Sequence, residues 1–223
     1  MYFYMTNNKP SKREELKKAN REQILKAALQ VFGESGLDGA NVRDIIRVSE
    51  LSPGTFYNYF QSKEEIFDVL LDEIILDIHN KSRKSWLKAW RSGHNGNAMK
   101  DAFEDFFNIF QNNQDYLYFF SKNQHYVRDL RYNGKINGIV EDLERDIEEA
   151  IKLGNLPSFP VKFISVALFG TVFEILADML IHPGQISIQD VSENLASFFR
   201  GGILSLSLST GAKGGFLHKP PPT

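Results

Sequence analysis

Apolar residues in this chain return every three to four positions over long stretches, the spacing of a helix with one buried face. Ile66, Leu70, Ile74 and Ile78, flanked by Phe67, Leu71 and Ile75, predict a long helix apolar on more than half its surface. Residues 84–97, with Gly93, Gly96 and two asparagines, read as the loop after it. Helices are then expected near 98–112 and 116–128. Ile136, Ile139, Val140, Leu143, Ile147, Ala150 and Ile151 follow as an amphipathic stripe, and Pro157 and Pro160 end that helix and open the next. Two helices, 161–181 and 188–205, close the pattern. The first is apolar nearly all round, and a helix apolar on every side is buried on every side. Either it lies at the centre of one monomer or it is covered by a partner molecule. The second carries Ile188, Val191, Leu195, Phe198 and Phe199. No alternating strand pattern competes, so the fold class is all-α.

The stretch from Asn41 to Lys63, NVRDIIRVSELSPGTFYNYFQSK, breaks this regularity in an informative way. Asn41 is a good N-cap for a short helix whose apolar face is Val42, Ile45, Ile46 and Val48, with Arg43 and Arg47 projecting outward. Ser52 caps a second short helix, with Pro53 at its first position, where the missing N–H costs nothing. Phe56 and Phe60, four apart, share the inward face. Thr55, Tyr57, Asn58 and Tyr59 are left outside, groups able to reach phosphates or base edges from a helix in the major groove. Ser62 caps a third helix, Lys63 stands at its start, and Glu65 completes a capping box. Two helices joined by a tight turn in this manner also occur as plain helical hairpins.

From Asn20 to about Asn80 the chain resembles the DNA-binding domain of the tetracycline-repressor (TetR) family. REQILKAALQVFGESG matches the first helix, NVRDI the second, and SPGTFYNYFQSKEEIF the third and the start of the fourth. The resemblance implies an N-terminal three-helix helix-turn-helix DNA-binding domain and a C-terminal helical ligand-binding and dimerisation domain. It implies that Asn41, Arg43, Ser52, Gly54, Thr55, Tyr57, Asn58, Tyr59 and Lys63 form the DNA-binding surface. Arg43 would read a base or a phosphate, Thr55, Tyr57 and Tyr59 would touch the operator, and Lys63 would clamp a phosphate. It also implies that the last two helices pair in a four-helix dimer interface, with Phe169, Phe173, Leu195, Phe198 and Phe199 the residues expected there. The chain departs from the family pattern at Ile46, Val48 and Glu50, where small residues and a turn glycine are usual. A non-glycine residue held at positive φ costs about 1 kcal/mol, so either the turn is shaped differently here or the packing compensates.

The expected organisation is a basic flexible arm over 1–19, the DNA-binding domain over 20–80, the helical body over 81–208 and a disordered tail over 209–223. Net charge is −2, so polyanion binding through overall charge is excluded. Between Lys9 and Lys26, however, seven basic residues stand against three acidic ones, a balance that suits local phosphate attraction or a solvated tail. The tail has three glycines and three consecutive prolines. There is no cysteine, which excludes disulfides and thiolate chemistry. The longest uncharged apolar run, Phe163 to Phe173, is too short to span a membrane, and MYFYM is no signal peptide, so a cytoplasmic location is expected. Either Met1 or Met5 serves as the start.

Ten aromatics lie between Lys100 and Tyr132. They fit ordinary core packing, or a pocket for a small apolar or aromatic effector lined by Phe103, Phe106, Phe107, Phe110, Phe120 and Phe173, with His125 and Arg128 to orient it. Asn123 and Gln124 are further polar groups in that neighbourhood. Enzyme readings lack support. The five histidines occur singly without metal-ligand spacing, Gly33-Glu-Ser-Gly36 misses a nucleophile elbow, and Gly33, Gly36 and Gly39 suit helix termination better than a dinucleotide loop. No cofactor and no metal are expected. The partners expected are a palindromic duplex operator, a second copy of the chain and an effector. The function expected is a ligand-responsive transcriptional regulator, a repressor in the first instance. The alternative is a DNA-bound adaptor that recruits another protein without a ligand.

Overall fold

The computed structural model describes residues 11–92, 96–126, 137–182, 184–185 and 187–210, and these are helical almost throughout. In chain order the helices are α1 (Lys12–Gly39), α2 (Val42–Ser49), α3 (Pro53–Tyr57), α4 (Lys63–Arg91) and α5 (Gly96–Gln111). They are followed by α6 (Gln114–Lys122), α7 (Asn137–Lys152), α8 (Val161–Ile181) and α9 (Ile188–Thr210). The chain divides into two compact units. The first contains Met1–Ile75 and Gln114–Tyr126, the second Leu76–Asn113 and Val127–Thr223.

The first unit is built around α1. Ile24, Ala28 and Phe32 are fully buried on it, and Phe32 meets Phe67 of α4 edge-on at 5.3 Å while Phe67 stacks on Phe119 of α6 at 5.2 Å. Helix α6 approaches α1 at two glycines. A Cβ on Gly33 would lie 3.3 Å from Tyr118 Cβ, and one on Gly36 would lie 3.1 Å from the Lys122 carbonyl. Gly36 also has φ 69° and ψ 169°, a backbone that interrupts α1 and that glycine adopts without a Cβ penalty. The break is bridged from outside: buried Asn123 accepts from the Leu37 N–H at 2.8 Å and donates to the carbonyls of Phe32 (3.1 Å) and Phe119 (2.7 Å).

Two boundaries differ from the sequence expectation. Residues 12–19, expected as a flexible arm, are the exposed first turns of α1. Ser11 and Glu14 form a reciprocal capping box there, which satisfies two of the amide groups that a helix start leaves unpaired. Residues 84–91, expected as loop, continue α4. Trp86 and Trp90, four apart, stack at 5.7 Å, and Trp86 meets Phe103 edge-on at 4.9 Å, so packing carries the helix onward to Arg91. The expected tail lies largely outside the described residues, and α9 reaches Thr210.

In the second unit α9 packs against α5 and α8 against α7. The buried stripe of α9 is Ser192, Leu195, Ala196, Phe199 and Ile203, and Phe199 touches Phe103 at 6.0 Å. Helix α8 buries Ile164, Ser165, Leu168, Val172 and Leu176, but Phe163 and Ile181 at its two ends are exposed. A polar cluster ties α4 to α7: Arg83 Nη2 lies 3.3 Å from Asp146 Oδ1, and His79 Nε2 lies 3.6 Å from Asp142 Oδ2. Burial, then the neighbouring Arg83 cation, hold the His79 pKa below the ordinary histidine value, with Asp146 opposing.

Candidate functional site

Helices α2 and α3 form the helix-turn-helix. Asn41 Oδ1 accepts from the Arg43 N–H at 2.9 Å and starts α2, Ile45 is completely buried, and Arg43 and Arg47 remain exposed. The turn passes through Glu50 at φ 54° and ψ 14°, in the left-handed region. It is the one non-glycine residue with positive φ among the described residues, at the position where the sequence lacks the family's turn glycine. Gln23 of α1 holds this turn by donating to the Ser49 carbonyl at 2.6 Å. Ser52 Oγ then accepts from the Thr55 N–H at 3.1 Å and lies 2.9 Å from Thr55 Oγ1.

Phe56 and Phe60 point into the core, as their spacing requires. Tyr57 and Asn58 are exposed, Gly54 is exposed, and Thr55 is half-buried. Tyr59 is also half-buried, because its hydroxyl accepts from Asn20 Nδ2 at 3.3 Å. Ser62 Oγ accepts from the Glu65 N–H at 3.2 Å, but the Glu65 carboxylate returns to the Gln61 N–H (2.7 Å), one residue earlier than a standard capping box would place it.

Lys63 has a role in the fold that sequence reasoning did not supply. Its ammonium donates to the carbonyls of Leu37 (2.8 Å), Asp38 (3.3 Å) and Ala40 (3.1 Å), closing the broken end of α1. A lysine has three donors, and all three are engaged here.

The residues expected to line an effector pocket belong to both units. Phe103, Phe106, Phe107 and Phe110 are buried on α5 in the second unit, with Phe106 against both Phe107 (5.7 Å) and Phe110 (5.4 Å). Phe120 and His125 belong to the first unit. Phe120 packs edge-on against Phe119, and exposed His125 pairs with Asp38 at 3.4 Å and lies over the Tyr126 ring. Tyr126 donates to Asp38 at 2.6 Å, and that carboxylate raises the phenol's pKa. Asn123 bridges the α1 break, and Arg128 lies outside the described residues. Of the residues expected at a dimer interface, Phe198 is 68% exposed, and Phe169 and Phe173 are half-buried and in contact at 4.4 Å. Leu195 and Phe199 instead turn inward, because successive helical residues point about 100° apart and α5 takes that face.

Among the described residues no group of histidine and carboxylate side chains could hold a metal, and no helix is long and apolar enough to cross a membrane. The described residues are thus helical in both units, with the helix-turn-helix in the first.

Residues 24–70 match the model of the bacterial regulatory proteins of the tetR family. Over that stretch the chain is similar to that family. Over 80 residues it is 31% identical to the class D tetracycline repressor protein of Escherichia coli, a stretch covering 36% of this chain and 37% of the relative. Over 54 residues it is 39% identical to an uncharacterized HTH-type transcriptional regulator, YvdT, of Bacillus subtilis, covering 24% and 28% of the two chains. These matches span little more than a third of the relatives' length at most. Solved structures extend the likeness in fold. The fatty acid degradation regulator FadR from Bacillus halodurans superposes with a TM-score of 0.69 at 19% identity, over 88% of this chain and 98% of that one. FadR from Bacillus subtilis, in complex with stearoyl-CoA, gives 0.67 at 19% identity over 82% and 98%.

Proposed function

We propose that the protein is a homodimeric, ligand-responsive transcriptional repressor that binds a palindromic DNA operator and leaves it when an apolar effector enters the helical body. The observation that carries the reading is the split between the two faces of the α3 segment: Phe56 and Phe60 are buried in the core, while Tyr57 and Asn58 are exposed, Thr55 is half-buried, and Arg43 is exposed on α2. That arrangement suits a short helix laid in the major groove, with Arg43 and Thr55 at base edges and Tyr57 on the backbone.

Dimerisation is supported by the outer faces of α8 and α9, which leave Phe163, Ile181, Phe198, Leu204 and Leu208 at the surface. Covering such side chains with a second copy removes apolar area from water at about 25 cal/mol per Å². It also supplies the two heads that a palindrome needs, roughly 34 Å apart. An effector is supported by Trp90 in the second unit, which is buried although its indole N–H has no hydrogen-bond partner among the described residues. A guest with an acceptor at one end and an apolar body would suit it, and the stearoyl-CoA held by the Bacillus subtilis FadR makes acyl thioesters the first compounds to screen. A second reading, a DNA-bound adaptor without an effector, rests on the close packing of the α5 phenylalanines.

The test is selection of duplexes from a random-sequence pool, followed by titration of the recovered sequence with and without long-chain acyl-CoA. A palindromic site binding two chains, weakened by the acyl compound, is the expected result. Binding of the duplex unaffected by any lipophilic ligand would leave the adaptor reading, and recovery of no sequence at all would end both.

A further inference from the structure

The first turns of α1 lie outside the stretch that matches the family model, yet they are helical and carry Lys12, Arg13, Lys17 and Lys18 against Glu14 and Glu15. All of these side chains are exposed. Their direction is fixed one turn further along. Asn20 donates to the hydroxyl of Tyr59 at the end of the α3 segment. Arg21 pairs with Glu73 of α4 at 2.8 Å and lies 5.9 Å over the Phe60 ring. The side of α1 that holds Asn20 and Arg21 is thus the side that faces Tyr59, just past α3, and Glu73 in the third turn of α4.

At 3.6 residues per turn, Lys17 and Arg13 continue that same side toward the N-terminus, within about 30° of the direction bisecting Asn20 and Arg21. With a rise of about 1.5 Å per residue they stand roughly 5 and 11 Å beyond the tyrosine contact. Lys12 and Lys18 point more than about 100° away from it, and Lys18 is near Glu22 at 3.7 Å. Glu15 falls on the opposite side, and the Glu14 carboxylate is occupied by the Ser11 N–H at 2.7 Å. The charges therefore sort by face, with two cations and no acid continuing the surface that ends at Tyr59.

We propose that Arg13 and Lys17 form a second nucleic-acid contact, which grips duplex phosphates flanking the half-site read by α2 and α3. The inference rests on the DNA-binding reading above and adds an element outside the helix-turn-helix. The occupant is duplex DNA because the stripe is continuous with the proposed reading surface and opposite in charge to a phosphate backbone. Arginine and lysine fit that role as bidentate and point-charge phosphate donors respectively. Such contacts set affinity and its salt dependence and carry no sequence information of their own.

The experiment uses the duplex recovered from a random pool by the wild-type protein, extended by about one helical turn on each side, and measures affinity across a potassium chloride series. Arg13→Gln/Lys17→Gln should make the slope of log K against log salt shallower by about 2 to 4, since a dimer loses up to four contacts at about 0.9 each. Its ranking of operator sequences should stay that of the wild type. Lys12→Gln/Lys18→Gln removes the same charge from the other faces and should shift the slope by less than about 1. The charge-preserving Arg13→Lys/Lys17→Arg should retain the wild-type slope, and circular dichroism verifies that each variant folds. Equal shifts in both neutralised variants would mean that net charge alone is sensed, and no shift in either would mean that the stripe is only solvated; each overturns the proposal. Failure of the wild-type protein to recover any duplex would instead overturn the DNA-binding reading beneath it.

Discussion

Replacing Asn123 with alanine tests how the first unit is held together. The side chain is completely buried and makes three hydrogen bonds, one accepted from the Leu37 N–H and two donated to the carbonyls of Phe32 and Phe119. Alanine removes all three. The amide of Leu37 follows the break at Gly36, and an unsatisfied buried donor costs about 1–3 kcal/mol. Each lost bond to a carbonyl adds about 1 kcal/mol, since a carbonyl's second lone pair makes its loss milder. The expected destabilisation is therefore about 3–5 kcal/mol, a large share of the 5–15 kcal/mol by which domains are normally stable. Urea unfolding followed by circular dichroism at fixed protein concentration measures it, as a fall in midpoint with unchanged slope. Asn123→Asp sharpens the test. At neutral pH it keeps the acceptor for Leu37 but puts a buried carboxylate oxygen against two carbonyls, so it should be worse than alanine. Burial raises its folded-state pKa, so the added penalty should shrink as pH falls and the protonated carboxyl regains one donor. A loss below about 1 kcal/mol for alanine, or an aspartate variant no worse than alanine at neutral pH, would refute the claim that Asn123 bridges the break in α1.

Two further outcomes follow from the head and the body. Glu50→Gly should stabilise the protein by roughly 0.5–1 kcal/mol, because an exposed residue at φ 54° carries a left-handed penalty that glycine lacks, less glycine's greater entropy when unfolded; a destabilised variant in thermal melting would show that the turn is held by the glutamate side chain. Burial and Arg83 lower the pKa of His79 in the folded state, so its neutral form favours folding and this stability is lost as pH falls below the unfolded value of about 6.5. His79→Gln should flatten that part of the stability profile, and an unchanged slope between about pH 6.5 and 5 would count against it.

What was legible in the sequence is what the chain decides locally. The caps at Asn41 and Ser52 and the inward pair Phe56 and Phe60 each depend on residues within one or two turns, and each stands where its spacing put it; at Glu50 the sequence left two turn shapes open, and the left-handed one is found. The capping box at Ser11 is equally local, four residues reading Ser-Lys-Arg-Glu, but it stands in a run of positive charge that also suits a flexible arm. Helix α9 was half legible. Phe198 and Phe199 are adjacent, so one helix cannot turn both to the same neighbour, and the buried stripe runs instead through Ser192, a serine that a hydrophobic pattern passes over.

Other assignments were out of reach because they join residues far apart. The Lys63 ammonium closes carbonyls 23 to 26 positions earlier, and Asn123 bridges a break 86 positions away. Nothing about a lysine at the start of a helix, or an asparagine after an aromatic run, announces such a partner. Both nevertheless answer one local signal. Glycine at positive φ in the middle of a helical pattern interrupts the ladder, and the backbone groups that it turns out of register have to be satisfied by something. Gly36 was legible as a termination signal, and a termination buried in a core implies polar side chains brought to it from elsewhere. Asn123 is the one asparagine in the buried core among the described residues, and Lys63 is only partly exposed although it is a lysine. A helix break in a sequence is thus also a demand for partners, and the sequence states the demand more clearly than it names the residues that meet it.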